Sequence, residues 1–537
     1  MIFAGAVSAS FLLYLAIGVI AGRKVRTKSD YFVAGRRAPT LLVTGSLVAS
    51  FLSTVAFMGE VGFAYDGYPI LMLVLTPLNA SGYVLGVLLF GRYLRRSEAL
   101  TVPEFFGRRF GSRGLQAVAG VTVVIGIGAY LIAVTQGASL VISGILDIPF
   151  EVALPLIWLV YTAFTFFSGS PGVLLTDTVM FFVFVTAGVA GMGYLIWSAG
   201  GPGAAAQRLT DLPAKPGMLS WHGVLEGDAA QFGSAAEALI WAITLGIVWM
   251  TIVAVSPWQS SRYLMAKDEH TAIRSGLTAM LTMLVLYVFL MLGGAAINLF
   301  NPAVSPSETA FIWAAENVLP LGIGVLVIVG IAAAALSSAS TFLSLIGFSV
   351  VHDIAPALRR GTAAAATDGG VRASRVVMLA TGAVVLGITF VAPPAVLTIG
   401  YFAATLFAAS WGPIAVLSIY SDRVTRRGAI FGMVSGFVVA FALQGLVEFG
   451  GLSMPVWADP VLLSFVISLL GVLVGSATER PDPAGIAFRR SLRQVPEAER
   501  SRVKLRRTSR YLLGAVPCAV LLAGLLVFLY YVPVAQS

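Results

Sequence analysis

The sequence predicts an all-α polytopic membrane protein of about fourteen transmembrane helices, and three observations carry that prediction. Hydrophobic residues make up 58% of the 537-residue chain and charged residues only 11%, with mean hydropathy +0.91; a soluble globular chain carries roughly 25% charged residues. The apolar residues are gathered into runs of about 20, the length that crosses a bilayer as a helix. The basic residues fall almost wholly in alternate connectors between those runs.

Residues 2–22 are apolar and uncharged, and Arg23, Lys24, Arg26 and Lys28 follow them. A secretory signal places its positive charge before the apolar stretch, so a retained first helix entering from outside is expected. The following spans are expected at 42–64, 68–91, 117–145, 151–168, 173–198, 236–256, 275–299 and 319–350. Five more are expected at 375–393, 395–420, 428–448, 460–477 and 511–533. Pro393-Pro394 either separates two helices or kinks one. With the N-terminus outside, the inside connectors hold 32 of the 34 Lys and Arg residues, leaving Arg208 and Lys215 outside. Glu60, Asp66, Asp147, Asp211, Asp228 and Asp459 are among the acids at the outer ends. The C-terminus then also lies outside.

The net charge of +9 does not indicate nucleic acid, because the basic residues sit in short loops between apolar runs. The single Cys518 excludes an intrachain disulfide or a Cys-based metal cluster. His222, His270 and His352 are too scattered for a zinc site. No organic cofactor and no obligate protein partner are expected; the expected partners are a small solute and membrane lipid. Arg489-Arg490 and Arg506-Arg507 read as a solvated face near anionic lipid.

Two spans carry polar stripes. In the second, Ser46, Ser50, Ser53 and Thr54 fall on one helix face, followed by Gly59, Glu60, Gly62, Asp66 and Gly67. In the ninth, Ser337, Thr341 and Ser344 repeat the spacing, with Ser338 beside them. Hydroxyls in membrane helices also bond back to their own carbonyls or permit close packing. A matching stripe in each half of the chain favours a shared role, since hydroxyls and freed carbonyls are what a hard, weakly held cation needs. Asp177 is a third feature, because a carboxylate in a membrane span is costly. Its alternative setting is a hydrated position at the inner interface.

Several segments resemble the sodium:solute symporter family. Asp30, Tyr31, Gly35 and Arg36 look like its signature after the first helix. LTVPEFFGRRF at 100–110, GVLLTD at 172–177, SRYLMAKD at 261–268 and the Ser337-Ser338 pair look like further motifs in the family's order. The resemblance covers about residues 1–450 and implies a LeuT-type core of two inverted five-helix repeats. It places the first helix and loop at 1–41, repeat one at 42–198, and an outer loop at 199–235. Repeat two then occupies 236–420, and additional helices occupy 421–537 with a basic loop at 478–510. It implies Na⁺ as coupling ion, held by the backbone carbonyls of Ala49, Leu52 and Ala334 and the hydroxyls of Ser337 and Ser338. Asp177 matches an acidic residue on the ion path, and Arg36 matches a functional arginine on the inner side.

There are departures. Phe51 stands where several relatives carry Asp or Asn, and Met180 replaces a usual Gln. The stretch TIVAVSP at 251–257 lacks the pattern of sugar-carrying relatives, which disfavours a sugar pocket. By position alone the solute pocket is expected near Ser53, Thr54, Phe57, Trp249 and Thr251. The implied function is Na⁺-coupled symport of a small solute, an organic acid or amino acid, by alternating access. The alternatives are a proton-coupled transporter titrating Asp177 or Glu60, or an uncoupled channel or sensor. No catalytic constellation suggests an enzyme.

Overall fold

The computed structural model describes residues 2–23, 25–227, 230–358, 369–392 and 395–536. Asp228, Lys24 and the Pro393-Pro394 pair lie outside them, as do Arg359 and Arg360 of the expected inside connectors. Among the described residues the secondary structure is helical apart from a single backbone bridge between Ala38 and Ala266. Twelve helices are long and apolar enough to cross a membrane, and the bent pair Thr40–Phe51 and Val55–Tyr65 makes a thirteenth span. The 49-residue helix Phe150–Ser198 supplies two, because Gly169 interrupts it with φ 59° and ψ 175°. That conformation is open essentially to glycine alone. The described residues therefore carry fourteen spans, and Gly369–Val391 and Val396–Tyr420 are separate helices.

Lipid replaces water as the solvent of this surface, so large apolar side chains remain on it. Leu12 and Ile20 of the first span, Leu473 and Val474 of the thirteenth, and Leu513 and Leu521 of the last are all exposed. Inside, small residues let backbones approach. A Cβ at Gly22 would stand 2.3 Å from the Phe167 carbonyl, and one at Gly172 would stand 2.8 Å from the Gly18 carbonyl. The first span thus seats against the break between the fifth and sixth.

Two spans are interrupted in mid-protein. The second ends its inner half at Phe51, Leu52 turns to ψ 99°, and the chain resumes as a helix at Val55, bent by 57°. The Ser53 hydroxyl accepts from the Val55 amide at 3.1 Å, capping the new segment. The seventh ends at Val255; Ser256 is extended, and Pro257–Met265 continues as a short helix. A residue preceding proline is steered away from helix, and proline suits a first helical position.

This second interruption corrects the sequence reading, which closed the seventh span at 256 and placed Arg262 in a solvated connector. Pro257–Met265 is buried throughout, and Arg262 is only 3% exposed. The loop at 478–510 also differs. It contains the helix Pro483–Arg493, and the last helix begins at Arg502, ahead of the expected 511. Arg489 is buried rather than solvated: its Nε donates to Asp422 at 2.7 Å and its Nη1 to the Ile419 carbonyl at 3.1 Å.

A short helix, Val102–Arg109, docks on the basic side of the ninth span. Glu104 accepts from the Leu100 amide at 2.7 Å and lies 3.0 Å from His352 Nε2, while Thr101 donates to Asp353 at 2.7 Å. Burial by itself raises the Glu104 carboxyl, but the His352 and Leu100 hydrogen bonds and the Arg108 charge outweigh it and hold it down to about 2. A depressed acid stabilises the fold above its ordinary value of 4.5 and loses that contribution as pH falls through about 2. Thermal unfolding in detergent across pH 2–7 is expected to show an acid-dependent loss on the order of 2–3 kcal/mol. Glu104→Gln should abolish that part of the pH dependence.

Candidate functional site

The break in the second span and the middle of the ninth, Leu321–Phe348, meet at full burial. Because the inner half-helix ends at Phe51, the Ala49 carbonyl lies among its terminal, negative-end acceptors. Two hydroxyls of the ninth span meet it. Ser337 Oγ donates to the Ala49 carbonyl at 2.9 Å and to the Ala334 carbonyl at 3.0 Å, and Ser338 Oγ donates to Ala49 at 3.4 Å. Leu52, at the turn itself, is also fully buried. Ala49, Ala334, Ser337 and Ser338 thus meet where the two spans face each other, and Leu52 lies three residues on from Ala49 at the turn.

One helical turn nearer the basic side lies a charged plug. Asp177 is fully buried, so the hydrated interfacial setting does not hold. Its Oδ2 accepts from Ser46 Oγ at 2.5 Å and lies 3.4 Å from Arg262 Nη2, while Oδ1 has no partner. Arg262 Nη2 also donates to Thr341 Oγ1, one turn below Ser337. Beneath this plug a narrow cleft of about 20 Å³, bounded by Thr101, Ser170, Arg262, Thr341 and Ser344, extends toward the basic connectors. Gln259 Nε2 donates to the Leu47 carbonyl at 3.2 Å and to Ser50 Oγ at 3.3 Å, tying together the inner halves of the two broken spans.

On the other side of the break lies an aromatic and polar cluster. Trp249 packs edge-on against Phe51 at 5.4 Å and near Tyr130 at 6.5 Å, and the Tyr130 hydroxyl faces Ser53. Thr54 packs on Gly137, and Thr54 Oγ1 and Trp249 Nε1 are buried without partners. Phe57 packs on Phe184 at 5.8 Å. Glu60 is buried among these groups with the Tyr287 hydroxyl beside it, and its Oε2 has no hydrogen-bond partner. Thr251 is not brought to this cluster. Its hydroxyl bonds back to the Ile247 carbonyl at 2.8 Å and its methyl faces Gly412.

Arg36 lies apart from both groups, at the basic side. Its Nη2 donates to the carbonyls of Glu98 and, at 3.0 Å, Ala99, fastening the first connector to the turn after the third span. Sequence reasoning missed Arg262, Gln259, Tyr130 and Tyr287 as members of these clusters. For the first two, the Ser256-Pro257 pair was the available signal, since it marks an extended residue followed by a helix start.

Fourteen helical spans among the described residues, two of them broken beside a buried polar seam, make the architecture of a secondary transporter. The sodium:solute symporter family model matches residues 31–436, and the chain belongs to that family. It is 24% identical over 477 residues to the sodium/pantothenate symporter of Escherichia coli, covering 87% of this chain and 95% of that protein. It is 25% identical over 456 residues to the sodium/proline symporter of Haemophilus influenzae, covering 81% and 86%. Among solved structures, a substrate-bound, outward-open Na⁺-coupled sialic acid symporter superposes with TM-score 0.72 at 18% identity, covering 90% of this chain and 98% of that one. The fold is of LeuT type, and the protein is a transporter rather than an enzyme.

Proposed function

We propose that this protein is a Na⁺-coupled symporter carrying an amino-acid-like solute inward by alternating access, with both termini outside. The observation that carries the reading is the convergence of Ser337 and Ser338 on the Ala49 carbonyl at the break of the second span. Oxygen donors of this kind, with the carbonyls of Leu52 and Ala334, suit a hard monovalent cation and offer nothing a transition metal prefers. Na⁺ between the two spans turns the hydroxyl lone pairs inward and fixes the broken helix. That pre-organises the solute pocket and lowers the ordering cost of solute binding. The repeat boundaries 42–198 and 236–420 belong to this reading, each repeat opening with an interrupted span. Asp177 is the acidic station on the ion path, and Arg36 secures the inner connector. One charge crossing 100 mV is worth about 2.3 kcal/mol, enough to concentrate a neutral solute roughly fifty-fold.

Glu60 supports the solute class. An intramembrane carboxylate is expensive unless paired, and among the described residues Glu60 has no cationic partner. An ammonium group on the solute would neutralise it, and the aromatic faces of Trp249 and Tyr130 suit the same cation. This favours an amino acid over a simple organic acid.

Uptake of a labelled solute panel into proteoliposomes, with Na⁺ or choline at fixed pH, tests both parts. Uptake of an amine-bearing acid is expected, and only with Na⁺. Glu60→Gln is expected to raise its KM about tenfold to a hundredfold while leaving the Na⁺ requirement in place. Uptake indifferent to Na⁺ would end the symport reading. Na⁺-dependent uptake confined to solutes without an amine would end only the assignment of solute class.

A further inference from the structure

A second concavity lies on the flank of the protein, at the level of the basic connectors. It has a volume of about 560 Å³ between the end of the first span, the break joining the fifth and sixth, and the start of the tenth. Arg26, Arg372 and Arg375 line it, and among the described residues no carboxylate does. Among the described residues none of the three guanidiniums forms an ion pair. Arg375 stacks 5.0 Å over the Phe166 ring, faces the Tyr31 hydroxyl, and keeps a buried Nε without a hydrogen-bond partner. Arg489, on the same side of the protein, differs because it is spent on Asp422.

The walls are of another kind. Phe167, Val376 and Leu379 line the same concavity and are exposed large apolar side chains. On a membrane protein such surface faces acyl chains. Arg375 is partly buried, and the exposed Arg26 and Arg372 stand beside it without a counter-charge; a cluster of guanidiniums of this kind matches phosphate oxygens through forked hydrogen bonds. Apolar walls continuous with a phosphate-binding floor fit a molecule that carries both parts.

We propose that this pocket binds an anionic phospholipid, its phosphodiester headgroup held by Arg26, Arg372 and Arg375 and its acyl chains lying on Phe167, Val376 and Leu379. The lipid bridges the first connector and the tenth span across Gly169. The next residue, Ser170, donates to the Phe32 carbonyl at 2.9 Å, and both residues border the cleft beneath Arg262. A lipid in this position braces the wall through which that cleft opens.

The test uses the purified full-length protein in detergent, with thermal unfolding followed as lipid is added. Phosphatidylglycerol or cardiolipin is expected to raise the midpoint, and phosphatidylcholine or inorganic phosphate at matched ionic strength is not. The double variant Arg372→Gln/Arg375→Gln is expected to need about thirtyfold more anionic lipid for the same shift. Arg26→Gln, on an exposed connector, should weaken the response about fivefold. Arg113→Gln/Arg423→Gln, exposed basic residues outside this pocket, should leave it unchanged. Equal protection of all variants, or equal protection by phosphate alone, would overturn the proposal. So would an equal loss in the Arg113/Arg423 control.

Discussion

Replacing Ser337 and Ser338 together by alanine is expected to raise the Na⁺ concentration for half-maximal uptake about a hundredfold. Each substitution removes one oxygen from the seam, and a polar contact to a charged group is worth about 1.5–3 kcal/mol. Two such losses correspond to two decades or more at 1.4 kcal/mol per decade. The fold should survive, because alanine is smaller and a better helix former than serine. The Ala49 carbonyl loses both hydroxyl partners, so the effect should appear in sodium dependence before it appears in stability. Uptake titrated with NaCl at constant ionic strength, with detergent unfolding as the control, measures both. Each single variant should give a partial shift, larger for Ser337, whose contact with Ala49 is shorter. An unchanged sodium titration in the double variant would remove the site from between these spans.

Asp177→Asn should be as damaging, for another reason. It leaves Arg262 as a buried cation without its counter-charge, and breaking a buried pair in this way costs about 3–5 kcal/mol. Arg262→Gln alone should cost a similar amount, since it strands the carboxylate. The double variant Asp177→Asn/Arg262→Gln keeps hydrogen-bonding groups in place and carries no stranded charge. It should be more stable than either single variant, giving a coupling energy of at least about 1 kcal/mol in a double-mutant cycle. Transport should nevertheless stay low in the double variant, because the carboxylate proposed for the ion path is gone. Strict additivity of the two unfolding changes would show that the residues do not act as a pair.

The spans were legible because a bilayer demands long apolar runs, and the alternation of Lys and Arg marked their ends. The polar stripes on the second and ninth spans were legible because hydroxyls at helical spacing stand out against leucine and valine. The short helix Pro257–Met265 was not. It contains Gln259, Ser260, Ser261 and Arg262, so by hydropathy it resembles a loop, yet protein rather than water surrounds it. Asp177 was noticeable as a rare carboxylate, but Arg262 is 85 residues away in the chain, beyond any local pattern. The same limit hid the pairing of Arg489 with Asp422, 67 residues apart. Thr251 illustrates a finer failure. It follows Trp249 by two residues, about 200° around the helix, so the two cannot face one pocket.

The inner segments of the two broken spans are fastened to each other at more than one height. Gln259 grips Leu47 and Ser50, and lower down the Ala38 and Lys267 amides pair with the carbonyls of Met265 and Ala38 at 3.2 and 3.1 Å. Two rods joined at separated points swing as one lever. Arg262 rides on that lever, whereas Asp177 stands on the neighbouring sixth span. Any tilt of the lever away from that neighbour stretches the guanidinium–carboxylate contact while leaving the rungs between the rods untouched. Widening of the cleft and withdrawal of the counter-charge are thereby mechanically one event.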